Sequence, residues 1–239
     1  MTELKTCFVM SDIHGMGDAF ETLLKKWDHE IPLILLGDLM DRGIGSRRVL
    51  ERACELSTQY DVRLIRGNHD QMFLDYIDLK EKPERFLRNG GDVTLQSLIS
   101  VDFTNWSRAQ IADYLKEHYA KEITFLRNSR YFLIFGKVLF THAGFNSDFA
   151  DLHHTTEDEF IWIREHFNKQ NQTPYVNVFG HTPTHYIHEA EKHSIWMNEQ
   201  KSYIGIDGGA VFGGQLNGVL LDEHGQIQQV FEVKTPKFS

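Results

Sequence analysis

Three short apolar runs fall within the first 65 residues: "TCFVM" (Thr6 to Met10), "IPLILL" (Ile31 to Leu36) and "VRLI" (Val62 to Ile65). Between them, apolar residues recur at helical spacing. Phe20, Leu23, Leu24 and Trp27 form one stripe, with Asp18 as its expected cap, and Val49, Leu50, Ala53 and Leu56 form a second after Ser46. Continuous apolar runs of this length predict strands buried on both faces, and their alternation with helices predicts a largely parallel sheet. Ligands of such sheets bind beyond the carboxyl ends of the strands. What each strand ends in is therefore the next thing to read.

The remainder of the chain changes character. From Gln71 to about Leu126 the pattern is mainly helical, including Asp92 to Leu98 and Ile111 to His118, and residues 71–126 are expected to form a helical cap or side wall beside a site. "YFLIFGKVLFTH" predicts a hairpin turning at Gly136-Lys137. "EFIWIREHF" (Glu159 to Phe167) predicts an amphipathic helix whose aromatic residues face the core. "YVNVFGH", "SYIGID", "LNGVLLD" and "QIQQVFEV" predict short strands, the last two joined around Glu223-His224-Gly225. With no repeat, low-complexity segment or linker, a single domain over residues 1–239 is expected.

The strand ends share one chemistry. The first ends in "SDIHG" (Asp12, His14), the second in "GDLMDRG" (Asp38, Asp41, Arg42) and the third in "RGNHD" (Arg66, Asn68, His69, Asp70). The hairpin ends in "THAG" (His142) and a later strand in "FGHT" (His181). Any one of these is ordinary turn chemistry. Turn propensity does not, however, require metal-ligand types at the same end of successive strands. Carboxylate, imidazole and amide oxygen suit hard-to-borderline divalent cations, and the absence of thiolates argues against a structural zinc site.

These five motifs, in this order, resemble those of the calcineurin-like metallophosphoesterases. More closely, they are similar to the phosphoprotein phosphatase group, which includes bacterial serine/threonine phosphatases and symmetrical dinucleoside tetraphosphatases. "IDGGAVFGGQLNGVLLD" also looks like the tail of bacterial members. The resemblance implies an α/β fold, a layered β-sandwich of two mixed sheets flanked by helices with a helical cap segment. It implies Asp12, His14 and Asp38 on a first metal ion, and Asp38, Asn68, His142 and His181 on a second, with Asp38 bridging. It further implies His69 as general acid, Asp41 as its orienting partner, and Arg42 and Arg164 as the phosphate grip. Ser11 in place of glycine, Asp70 in place of glutamate and "THAG" in place of a double-glycine form depart from many relatives but leave every ligand type present.

Two cations ~3.5–4 Å apart can hold a water, lower its pKa and present hydroxide for in-line attack on phosphorus. The expected cofactor is two divalent ions, manganese first, with iron or zinc as alternatives. Arginine suits the phosphate grip through its planar, permanently charged fork. Arg66, flanking its motif, is as readily a structural hydrogen-bonding group. His153, His154, His185, His188 and His193 lie among polar residues and read as surface or loop positions.

The chain carries 25 basic and 34 acidic residues, a net charge of −9, so it is a poor general binder of nucleic acid or anionic membrane. No apolar run approaches the roughly 18 residues of a membrane span, and the N-terminus lacks a signal-peptide pattern. Cys7 and Cys54 sit in apolar segments and read as buried free thiols, which fits a reducing, cytoplasmic setting. The function expected first is hydrolysis of phosphoserine and phosphothreonine monoesters in proteins or small phosphoesters. The alternative is a symmetrical dinucleoside tetraphosphatase or related nucleotide polyphosphate hydrolase, favoured by a narrow pocket with extra cations. A non-catalytic interaction module comes third, since such a protein should have lost ligands. The oligomeric state is not legible.

Overall fold

The computed structural model describes residues 5–188 and 191–237. β1 (Thr6–Met10), β2 (Leu33–Leu35) and β3 (Val62–Leu64) run parallel, with Phe8 opposite Leu33 and Leu33 opposite Val62. β9 (Gln215–Asp222) joins β1 antiparallel and β10 (Ile227–Lys234) joins β9, giving the order β10-β9-β1-β2-β3. The second sheet has the order β4-β5-β6-β8-β7, built from β4 (Phe132–Phe135), β5 (Val138–Thr141), β6 (Val176–Phe179), β7 (Trp196–Met197) and β8 (Tyr203–Gly205). Both sheets are therefore mixed. The strand–helix alternation correctly placed the parallel trio, but the terminal hairpin returns beside β1 and makes the whole sheet mixed.

Alternation along the strands explains the layers. Cys7 and Val9 of β1, Ile34 of β2 and Val219 and Leu221 of β9 meet Val138, Phe140, Val178 and Ile204 of the second sheet, forming a core between the sheets. The opposite faces are covered too. Phe8, Met10, Leu33 and Leu35 pack under helices α1 (Gly17–Leu24) and α2 (Ser46–Gln59), while Leu139, Phe179 and Tyr203 pack with Phe160 and Ile161. Burial on both faces is why these strands read as unbroken apolar runs.

The helical segment supplies α3 (Asn68–Ile77), α4 (Pro83–Phe86), a π-turn at Leu87–Gly91, α5 (Asp92–Leu98), α6 (Arg108–His118) and α7 (Ala120–Arg127). Leu95, Leu98, Ile111, Leu115 and Leu126 share one core with Phe8 and the helices of the first sheet. Two expectations about helix ends need correction. Asp18 is not the cap of α1; the helix starts at Gly17, and Asp18 lies in its first turn, bonded to Arg48 at 2.6 Å. "EFIWIREHF" is not one helix: α8 (Glu157–Trp162) starts on a Thr156/Glu159 capping box, and the backbone leaves it at Ile163 (φ −59°, ψ 141°). The apolar period persists beyond that point because His166 and Phe167 pack onto the second sheet, against Phe145, Phe179 and Tyr203.

Candidate metal centre

Because β1, β2 and β3 are parallel, and β5, β6 and β8 likewise, their carboxyl ends meet along one edge of the sandwich. The loops there are strained together. Of the ten non-glycine residues with positive φ among those described, six are Asp12, His14, Asp38, Asp41, Arg42 and His181. Left-handed backbone at non-glycine residues is costly and persists where the surroundings over-determine it. Here His14 N–H donates to the Asp38 carbonyl at 2.9 Å, and Gly15 N–H to the Leu39 carbonyl at 3.0 Å, locking the first two loops side by side.

Asp70 locks the third loop to the second. It is fully buried and accepts from the N–H groups of Gly67 (2.9 Å), Asp38 (3.0 Å) and Leu39 (3.2 Å). Burial pushes its carboxyl up. Gly67 is glycine for close approach: φ is −91°, accessible to any residue, but a Cβ would strike the Asp38 side chain and backbone N. Asp70 was read only as a departure from relatives, yet its place at the end of the third motif is the signal that could have assigned it this tie.

Oδ2 of Asp38 is the centre of the cluster. His14 Nε2 and His142 Nε2 each lie 3.5 Å from it, and His69 Nε2 lies 4.0 Å away. The imidazoles are aimed by backbone carbonyls: His14 Nδ1 donates to Met40 and His142 Nδ1 to Leu36, both at 2.7 Å, leaving each Nε2 lone pair facing inward. Asn68 Oδ1 is 2.9 Å from His142 Nε2. His181 Nε2 is buried without a partner among the described residues. Asp12 Oδ2 accepts from Ser11 Oγ and, at 2.9 Å, from His181 N–H.

Two sets of ligand atoms lie within 4.8 Å of one another: His14, Asp38 and His69; and Asp38, His142 and His181. The expected bridging residue thus belongs to both. Asp12 lines the same cleft but is not in either set, and His69, expected as a proton donor, is. Burial raises Asp38, helped by the neighbouring Asp12 and Asp70 charges, and burial lowers His14 and His181. A buried carboxylate group ringed by imidazoles, with one imidazole nitrogen orphaned among the described residues, fits divalent cations. Bound there, such ions would neutralise phosphate oxygens and lower the pKa of coordinated water.

His69 Nδ1 contacts Asp41 Oδ2 at 2.7 Å, and Thr94 Oγ1 of α5 donates to Asp41 Oδ1 at 2.7 Å. The helical segment therefore positions the Asp41–His69 pair. Burial pushes Asp41 up to about 8 and His69 down, so the net-neutral pair is favoured over either charge alone. Arg42 Nη1 lies 2.7 Å from His14 Nε2. Arg164 is off the helix and exposed, reaching the His181–Thr182 loop with Nη1 3.2 Å from Thr182 Oγ1. Arg66 is structural: its guanidinium donates to Gln71 Oε1 and to the carbonyls of Leu126 and Arg127.

The cleft over the cluster, about 280 Å³, is lined by Arg42, Arg164, Trp162, Tyr186, Phe212 and Asp207 among others. Trp162 was expected in the core; half-buried at the end of α8, it packs against the apolar clusters and also lines the cleft, with its ring edge-on to His181. Asp207 was overlooked, although it follows the strand in "SYIGID" by the same rule as the other motifs. It is buried, and burial beside Asp12 raises its carboxyl. His185 is half-buried in a 3-10 turn (Thr184–Tyr186), and His193 is half-buried in a loop, as expected.

The family model for calcineurin-like phosphoesterases matches residues 6–214. The chain belongs to the calcineurin-like phosphoesterase family. It is accordingly a hydrolase of phosphoester bonds, and its Asp and His groups are of the kind that hold the family's divalent ions. Among curated proteins it is 24% identical over 245 residues to bis(5'-nucleosyl)-tetraphosphatase PrpE [asymmetrical] of Anoxybacillus flavithermus, covering 90% of each chain. It is 33% identical over 107 residues to the symmetrical bis(5'-nucleosyl)-tetraphosphatase of Buchnera aphidicola, covering 43% of this chain and 37% of that one. A crystal structure of a presumed diadenosine tetraphosphatase superposes with a TM-score of 0.65 at 17% identity, covering 98% of this chain and 95% of the other, which shows the shared fold. Among the described residues no helix of this phosphoesterase is long and apolar enough to cross a membrane.

Proposed function

We propose that this phosphoesterase hydrolyses dinucleoside polyphosphates, adding water across a P–O–P bond of a dinucleoside tetraphosphate. This moves away from the phosphoserine and phosphothreonine substrates expected first. One observation carries the choice: aromatic side chains, Trp162, Tyr186 and Phe212, rim the cleft that holds the cluster. Tyr186 and Phe212 are 75% and 50% exposed; Arg42 lies over one side of the Phe212 ring and His185 lies against Tyr186, so part of their aromatic surface borders the phosphate site in the open. A nucleobase stacks on such faces, whereas a phosphopeptide needs none. The relatives matched over nine-tenths of both chains are named as asymmetrical bis(5'-nucleosyl)-tetraphosphatases, which supports the same substrate class and favours asymmetrical cleavage, to a nucleoside triphosphate and a monophosphate.

In this scheme Asp12, His14 and Asp38 hold one divalent ion and Asp38, Asn68, His142 and His181 the other, with manganese among the ions suited to a donor set of oxygens and imidazoles. Arg42 and Arg164 grip phosphate oxygens. His69, kept in orientation by Asp41, donates a proton to the departing oxygen.

The test is a side-by-side rate comparison. Manganese-loaded protein is given diadenosine tetraphosphate and phosphoserine, phosphothreonine and phosphotyrosine peptides, with nucleotide products separated by anion exchange. The expected result is a preference for the nucleotide of about a hundredfold or more in kcat/KM, with ATP and AMP as products. Equal or faster turnover of a phosphopeptide overturns the assignment; two ADP per substrate overturns the asymmetry alone.

A further inference from the structure

A second cavity adjoins the cleft. It shares Asn68 and Trp162 with it and is lined further by the cations Lys82, Arg85 and Arg108 and by the carboxylates Asp75, Glu81 and Asp158, of which Asp75 is already paired with Lys80. Where the two meet, the Arg85 guanidinium carbon lies 4.0 Å from the centroid of the Trp162 ring. Arg88, in the turn that follows, does not line either cavity, and two other arginines around this segment are engaged elsewhere. Arg108 donates to the carbonyls of Tyr76, Lys80 and Asp75, and Arg127 pairs with Asp78. Arg85 is exposed, and among the described residues its guanidinium is held by the Trp162 face alone.

The backbone that carries Arg85 is fixed relative to the phosphate grip. Phe86, next in sequence, is buried against Phe73 and Tyr76. Three residues further on, Asn89 lines the cleft, and the Gly90 carbonyl accepts from Arg42 N–H at 3.2 Å. Gly90 has φ +94°, and a Cβ there would meet the Arg42 backbone. A rigid peptide path thus ties Arg85 to Arg42, and a stacking contact holds the Arg85 side chain extended at the mouth of the site in advance of any ligand.

We propose that Arg85, held by Trp162, is a specificity residue that binds the phosphates lying beyond the scissile one. This assigns a subsite within the dinucleoside polyphosphate reading and rests on it. A monoester reaches only the cluster, Arg42 and Arg164. A chain of four phosphates extends past Trp162 and presents further anionic oxygens, which a guanidinium fork matches bidentately. A planar base and a planar guanidinium both suit the Trp162 face, so the nucleoside can stack in the same corner as the phosphates bind.

The test compares wild type, Arg85→Ala and Arg85→Lys at saturating manganese. The first readout is the ratio of kcat/KM for diadenosine tetraphosphate to that for p-nitrophenyl phosphate. It is expected to fall about tenfold to a hundredfold in Arg85→Ala and to recover partly in Arg85→Lys. An unchanged ratio overturns the proposal even if the tetraphosphate is a good substrate. The second readout does not need the nucleotide to be hydrolysed. Inorganic tripolyphosphate and orthophosphate are compared as inhibitors of p-nitrophenyl phosphate turnover. Wild type is expected to prefer tripolyphosphate, and Arg85→Ala to lose about tenfold of that preference. Equal preference in both proteins overturns the subsite, whereas failure of wild type to cleave the tetraphosphate counts against the proposed function and not against Arg85.

Discussion

The ring of His69 is fixed by Asp41 across 2.7 Å, and both side chains are buried. Asp41 is in turn held by Thr94, so the imidazole has one orientation, with Nε2 facing the cluster. In that pose His69 can donate to a leaving oxygen. Removing a general acid costs most where the leaving group is poor. His69→Asn is expected to lower kcat on an alkyl phosphate by about a hundredfold or more, and on p-nitrophenyl phosphate by less than tenfold. Steady-state rates on both substrates, with metal content measured alongside, check this. Equal losses together with a loss of metal would make His69 a ligand instead, a role its 4.0 Å approach to Asp38 permits.

Asp38 belongs to both ligand sets, so a change there should be felt at both. Asp38→Asn removes the shared anionic oxygen but keeps the size of the side chain. Bound metal, measured by mass spectrometry after gel filtration, is expected to fall by more than one equivalent, and activity by at least about a hundredfold. His181→Asn should remove about one equivalent and leave the His14 set loaded, since His181 occurs in one set only. Retention of full metal in Asp38→Asn would sink the shared-ligand assignment.

Much of this centre could be read from the chain because parallel strands place their carboxyl ends together. Asp12, His14, Asp38, Asn68, His142 and His181 all obey that rule, and so does Asp207, which the same reading of "SYIGID" should have included. What the sequence hid depends on packing that apolar periodicity does not distinguish. The period through "EFIWIREHF" suggested one helix, because both halves pack against the second sheet, but the backbone leaves the helix at Ile163, and this takes Arg164 off the helix beside Trp162 at the cleft. Thr94 was equally hidden. Nothing about a threonine in a helical stretch announces a bond to an aspartate 53 residues earlier.

Arg66 ties the third strand to the end of the helical segment. It is 7% exposed and donates to Gln71 at 2.6 Å, Leu126 at 2.9 Å and Arg127 at 3.1 Å, with Ser129 as a further partner. Arg66→Met keeps much of the stem but leaves two carbonyls short of a donor. Unfolding free energy is expected to fall by about 2–4 kcal/mol, read as a lower urea midpoint at unchanged slope. A midpoint equal to wild type would show that water replaces the guanidinium without cost.

His166 gives the fold an acid-labile point away from the metal cluster. It is buried among Phe145, Phe167, Phe179 and Tyr203, its Nε2 lies 3.1 Å from Asn177 Oδ1, and its Nδ1 has no partner among the described residues. Burial lowers its pKa from 6.5 to about 4. Between those values the unfolded chain binds a proton that the folded one does not, so stability from this group is full above pH 6.5 and is lost as pH falls towards 4. The shift corresponds to roughly 3 kcal/mol. His166→Gln preserves a donor to Asn177 but does not titrate. Urea midpoints between pH 7 and pH 4 should therefore fall less steeply in His166→Gln than in wild type, the other buried histidines contributing equally to both. Parallel slopes would show that His166 is protonated in the native state and that its aromatic surroundings admit the charge.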